Sequence, residues 1–143
     1  MLITSHKKII LASTSKIRNQ ILKDHSLEFE VIKPFFDEDN SKKIFKDLNP
    51  RELALELAKK KALSVSDKFS DSYVIGADQV CEFDGQEISK SKNQSEAIAQ
   101  LLKFSGKDHF QNNATVVAKN NKIIFENFAQ AKLTMHKLEL HSI

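Results

Sequence analysis

The sequence predicts an α/β protein with a mixed central sheet. Three observations point there: apolar runs of strand length alternate with segments of helical periodicity, two of the helical segments open on a marked cap, and an Asp84-Gly85 pair separates two strand-like runs. Alternation of this order buries one sheet beneath helices.

"KIILAS" at 8–13 reads as a buried strand because its apolar residues are consecutive. "KIRNQILKD" follows as a helix with Ile17, Ile21 and Leu22 on one side, and "FEVI" as a second strand. The cluster Asp37, Glu38, Asp39 after Phe35-Phe36 reads as an acidic loop. Asn49 then starts a helix as its N-cap, with Pro50 at the first helical position and Glu52 three residues beyond the cap. The periodicity carries that helix to about Val65. "YVIGA" is the next strand, ended by Asp78, and "FDGQEI" holds a tight hairpin. Asn93 and Glu96 cap a further helix, with Ile98, Leu101 and Leu102 on its apolar side and Ser105-Gly106 at its end. "ATVVA", "KIIFEN" and "AKLTM" read as three sequential strands.

A chain of 143 residues with 41% hydrophobic side chains closes one core, so a single domain over 1–143 is expected. Three Gly and two Pro leave no obvious hinge. Lys and Arg number 22 against 19 Asp and Glu, and a formal charge of +3 is too small to make nucleic acid the expected partner. Apolar stretches such as "IILA" fall far short of the roughly 18–20 residues of a membrane span. A single cysteine offers no intramolecular disulfide, so a soluble protein of the reducing cytoplasm is the expectation.

Three features are hard to explain by folding alone. In the opening loop a strand runs into Ser13-Thr14-Ser15 before a helix bearing Lys16 and Arg18. Free N–H groups at a helix start, hydroxyls and cations together cradle phosphate, while an N-cap serine beside solvated cations would look the same. The loop lacks the glycines of a Walker motif. Next, helical geometry puts Lys61 on the stripe of Leu53, Ala54, Leu57 and Val65, where an ammonium must either snorkel to the rim or meet an anion. Last, Asp78 closes an apolar strand at the edge where open α/β sheets place ligands. It can ligate magnesium, orient a water, or cap a turn. The acidic cluster Asp37, Glu38, Asp39 could supply a second carboxylate, and such oxygen donors suit Mg2+ or Mn2+ better than zinc. Lys90 and Lys92 could reach a phosphate or only water. The five histidines show no ligand spacing, and Cys81 reads as a small hydrophobe.

Taken in order, "LASTSKIR", "FDED", "LAKKKA", "GADQV", "EISKSK" and "LLKFSGKDH" resemble the successive motifs of the Maf family of nucleotide pyrophosphatases, over nearly the whole chain. The resemblance implies an elongated mixed sheet flanked by helices, with a nucleotide-binding cleft as in inosine triphosphatases. It implies Asp78 as general base, Glu38 as a carboxylate that holds metal or positions water, and Ser13, Arg18, Lys61 and Lys90 as triphosphate contacts. Glu38 and Asp78 would share Mg2+ or Mn2+, and a homodimer is implied.

Within the family, "GADQVCEFDG" is most similar to the branch that hydrolyses 7-methyl-GTP; the branch favouring dTTP and UTP typically has Thr where Gln79 stands. Ile17 occupies a position where the 7-methyl-GTP branch commonly has an aromatic, so Ile17 and Gln79 are the expected specificity residues. Family members continue past "LELHSI", so a C-terminal portion is expected to be missing. The alternatives are a pyrophosphatase preferring dTTP, UTP or CTP, and a noncatalytic nucleotide or nucleic-acid binding module linked to division control.

Overall fold

A computed structural model describes residues 8–89 and 91–138. The elements are β1 (Ile9–Ala12), α1 (Lys16–Asp24), β2 (Glu30–Ile32), α2 (Glu38–Ile44), α3 (Pro50–Ser66), β3 (Tyr73–Phe83), β4 (Gln86–Ile88), α4 (Gln94–Phe104), β5 (Asp108–Lys119) and β6 (Lys122–Thr134). They form a six-stranded sheet of order β2-β1-β3-β5-β6, with β4 also pairing β3. β1 is parallel to both β2 and β3, because helical crossovers bring the chain back in the same direction. The remaining pairs are antiparallel hairpin or meander neighbours. The sheet is mixed and the class α/β, as the sequence predicts.

The core lies between this sheet and α3. Asn49 caps the helix: its side-chain oxygen accepts from the Glu52 N–H at 2.9 Å. Leu53, Ala54, Leu57, Ala58, Ala62 and Val65 then form one buried stripe against Ile10, Val74, Val116 and Ala118. Each fully buried leucine or valine on that stripe contributes roughly 1.5–3 kcal/mol. Gly76 sets how closely helix and strand approach. A Cβ there would stand 2.5 Å from the Ala58 carbonyl oxygen and 2.8 Å from the Ala62 Cβ. Only hydrogen fits at that crossing.

The opposite side of the sheet differs. α1 has no buried residue, and Ile17 and Ile21 of the expected apolar side are 75% and 51% exposed. Their hydrophobic surface lines a groove instead of a core.

Four expectations about elements are corrected. "YVIGA" is not a complete strand: β3 continues through Asp78 to Phe83, and Asp78 pairs with Ala114 of β5 mid-strand. "KIIFEN" and "AKLTM" are one 13-residue strand, β6, since the "FAQ" between them contains no breaker and the β5 register runs on to Asp108↔Thr134. The turn that starts it uses Asn120 and Asn121, at φ 52 and 58, a conformation asparagine tolerates. The acidic loop is in part the helix α2. Asp37 caps it by accepting from the Asn40 N–H at 3.1 Å, and Glu38 and Asp39 occupy its positive first turn. On α4, Leu101 and Leu102 are 40% and 41% exposed, while Phe104 is the buried residue, stacked on His109 at a ring-centroid distance of 4.5 Å. The Asp84-Gly85 hairpin forms as expected, with φ of 55 and 78.

Candidate active site

The site begins with an interruption in the sheet. β1 accompanies β3 only as far as the Leu11↔Ile75 pair, and β4 joins the same edge of β3 only from Cys81↔Ile88. Among the described residues no strand pairs with that edge over 76–80, and Asp78 lies in the middle of the gap. Ligands of open α/β sheets collect in such crevices beyond strand ends.

Strand alternation puts Asp78 on the same face as Gly76, toward α3. The close helix–strand approach at Gly76 brings Lys61 down to it. Lys61 Nζ donates to Asp78 Oδ1 at 2.7 Å and lies 3.1 Å from Glu38 Oε1. The lysine therefore meets anions and does not snorkel. Three segments, α2, α3 and β3, contribute one charged group each. Asp78 is 8% exposed, and burial pushes its carboxyl above the ordinary 3.8, against the pull of Lys61. Glu38 adds to the rise and Arg18 opposes it.

Ala77 and Gln79 point to the other face, where a groove of about 380 Å³ runs between α1 and the sheet. Leu11, Ile17, Arg18, Asp78, Gln79 and Asn113 are among its walls. Gln79 Nε2 donates to Gln111 Oε1 at 2.8 Å. Asp78 thus belongs both to the charged cluster and to the groove.

In the opening loop, Ser15 is the N-cap of α1, accepting from the Arg18 N–H at 3.3 Å, and it lines the groove. Ser13 lies behind it, 4% exposed, and its Oγ accepts from the Ser15 N–H at 3.0 Å. Arg18, Ile17, Gln79 and Asp78 are on the groove; Lys61 and Glu38 join Asp78 from beside it; Ser13 backs the loop. Lys90 lies outside the described residues. The sequence did not single out Lys42, one turn after Glu38, which pairs with Glu87 of β4 at 2.9 Å. Its signal was the spacing of four from Glu38, usable only once α2 is known to be a helix.

Comparison with known proteins decides the family. Residues 8–143 match the family described as "Maf-like protein". The chain belongs to this Maf-like family. A Legionella pneumophila (strain Philadelphia 1) protein named "Nucleoside triphosphate pyrophosphatase" is 36% identical over 137 residues, 96% of this chain and 68% of that one. A Bartonella quintana protein named "7-methyl-GTP pyrophosphatase" is 38% identical over 130 residues, covering 91% and 66%. Among solved structures, a HAM1 protein from Coxiella burnetii superposes with a TM-score of 0.54 at 14% identity, covering 88% of this chain and 70% of its own; that likeness concerns the fold alone.

For a Maf-like chain the donor set around Lys61 is informative. Among the described residues no group of three or more His, Cys, Asp or Glu could hold a metal ion. Two converging carboxylates, Glu38 and Asp78, are nevertheless what Mg2+ uses when phosphate oxygens and waters complete its shell. The residues present fit such an ion. No helix among the described residues is long and apolar enough to cross a membrane.

Proposed function

We propose that this chain hydrolyses a nucleoside triphosphate to the monophosphate and pyrophosphate, and that the nucleotide is 7-methyl-GTP. The observation that carries the reading is the junction of a charged cluster with a groove through one residue, Asp78. The relatives named nucleoside triphosphate pyrophosphatase and 7-methyl-GTP pyrophosphatase support it, as does Gln79 beside the aspartate.

In this reading the base and sugar lie in the α1 groove and the phosphates turn through the sheet gap toward Lys61. A water oxygen bonds to the α-phosphorus while the bond to the bridging oxygen of the β-phosphate breaks, and pyrophosphate leaves. Asp78 takes the water's proton. Lys61 helps keep Asp78 ionised against burial, which a base requires. Glu38 and Asp78 would hold Mg2+ or Mn2+, which when bound would neutralise charge on the phosphate oxygens. Arg18 adds positive charge along the phosphates, a role that the family resemblance alone extends to Lys90, and Ser13 and Ser15 shape the loop that receives them. Offsetting charge as it develops is the largest contribution in such reactions.

Ile17 favours a second reading of the base. A methylated guanine is cationic and gains from an aromatic face, which Ile17 does not provide, so a dTTP-, UTP- or CTP-preferring enzyme is the alternative. Pyrophosphate release measured with magnesium over 7-methyl-GTP, GTP, dTTP, UTP and CTP separates the two. The expected result is highest kcat/KM with 7-methyl-GTP, and loss of at least about 100-fold, or about 3 kcal/mol, in Asp78→Asn with nucleotide binding retained. Undiminished release by that variant rejects Asp78 as base. Binding without turnover of any nucleotide would replace the enzyme with a noncatalytic module.

A further inference from the structure

Glu38 owes its place to a helix that has little else to hold it. α2 has seven residues, too few to be stable alone, and Ser41 is its buried residue. Phe36 before it and Phe45 after it rest partly buried against the core, which fixes the ends of the segment. Within the helix only the small Ser41 side chain is buried, so little packed surface sets its rotation about its axis, and that rotation decides where the Glu38 carboxylate points. Lys42, four residues on, shares the Glu38 face. Its Nζ reaches Glu87 Oε2 at 2.9 Å, with the two side chains 32% and 27% exposed. Glu87 sits on β4, opposite Glu82 of β3, and so is rigidly tied to the strand that carries Asp78.

We infer that the Lys42–Glu87 ion pair is a positioning device: it latches α2 to the β3–β4 hairpin so that Glu38 faces Lys61 and Asp78. Two attachments one turn apart then register the helix, Glu38 to Lys61 at 3.1 Å and Lys42 to Glu87 at 2.9 Å. Burial works against the charge on Lys42, but Glu87, and behind it Glu38 and Asp78, more than offset it, as befits a cation inside a ring of carboxylates. Neither Lys42 nor Glu87 needs to touch substrate.

The inference rests on the proposed hydrolysis for its catalytic consequence, while the latch itself can be read without turnover. Lys42→Met and Glu87→Gln should each lower kcat about tenfold with KM changed less than about twofold, and Lys42→Arg should retain nearly full activity. In a Glu38→Gln background, adding Lys42→Met should cost almost nothing further, because the residue it positions is already gone. Amide hydrogen exchange supplies the second measurement: Ser41 and Phe45, whose N–H groups bond to Asp37 and Ser41 carbonyls, should exchange faster in Glu87→Gln, with α3 unchanged. Unchanged exchange in α2 overturns the latch. So does a full Lys42→Met loss in the Glu38→Gln background, or an active Glu87→Gln beside an inactive Lys42→Met, since either makes Lys42 act on substrate directly. If the parent protein releases no pyrophosphate while α2 exchange responds as described, the latch stands and the hydrolytic reading falls.

Discussion

The two faces of β3 are built to different rules. Toward α3, Val74, Gly76 and Val80 meet an uninterrupted buried stripe, and Asp78 is held within it by a lysine. Toward α1, Ile75, Ala77 and Gln79 look into an open groove with isoleucines exposed on its far wall. One strand thus carries a close-packed side, where a sub-ångström shift is felt, and a loose side, where side chains can be exchanged. Chemistry that needs fixed geometry falls on the packed side. In the proposed hydrolysis, recognition of the base falls on the loose one.

The sharpest way to break this contrast is to force the packed face apart. Gly76→Val would place its Cβ 2.5 Å from the Ala58 carbonyl oxygen, a backbone atom that cannot move aside. A loss of about 3 kcal/mol in denaturant unfolding is expected, together with loss of activity as Lys61 is lifted from Asp78. Ile21→Ala on the open face should cost less than about 0.5 kcal/mol. Equal losses at the two positions would dissolve the distinction.

Lys61→Met comes next in size. It removes the cation shared by Glu38 and Asp78, and should reduce kcat/KM about 100-fold, equivalent to about 3 kcal/mol, with a loss of stability as well, because the buried Asp78 carboxyl is left without its counter-charge. A smaller effect than that of Arg18→Met would move the centre of charge stabilisation from the packed face to the loop.

Titration of Asp78 sharpens the same point. Burial raises its carboxyl above 3.8 even with Lys61 beside it. Between 3.8 and that raised value the folded protein holds a proton the unfolded chain has lost, so stability from this group rises as pH falls through the window and is least above it. Carbon-13 NMR of the metal-free protein should find the midpoint above 3.8, and higher still in Lys61→Met, which lacks the opposing charge. A midpoint below 3.8 would mean that the ion pair outweighs burial.

How much of this was legible in the sequence follows the same division. The packed face could be read because periodicity reports burial: the α3 stripe, its Asn49 cap and the misplaced Lys61 all stand out in one dimension. The extent of β3 could not. A carboxylate in mid-strand looks like a strand end, and it is tolerated only because a lysine seventeen residues earlier in the chain neutralises it. α2 hid for a similar reason, since acids that read as a wet loop are also what a helix N-terminus favours. Ile17, Ile21 and Leu22 share one side of α1 as their period implies, but period alone did not say whether that side meets a core or a groove, and it lines the groove. The sheet gap left no local trace, as it depends on where two other strands stop.

The smallest effect on the kinetics is expected on the loose face, at Ile17. It is 75% exposed on the groove wall, so replacement there disturbs no packing. Ile17→Trp would offer an indole face to a base lying between α1 and Gln79. A cationic, methylated guanine gains about 1 kcal/mol from such a face, or about fivefold in KM, and neutral GTP gains less. Comparing KM for 7-methyl-GTP and GTP in parent and variant therefore isolates the charge of the base, with kcat for both expected to stay constant because Asp78 and Lys61 are untouched. Equal improvement for the two nucleotides would mark simple stacking. A fall in kcat instead would show that the groove and the charged cluster are mechanically coupled across β3, and that the loose face is not loose.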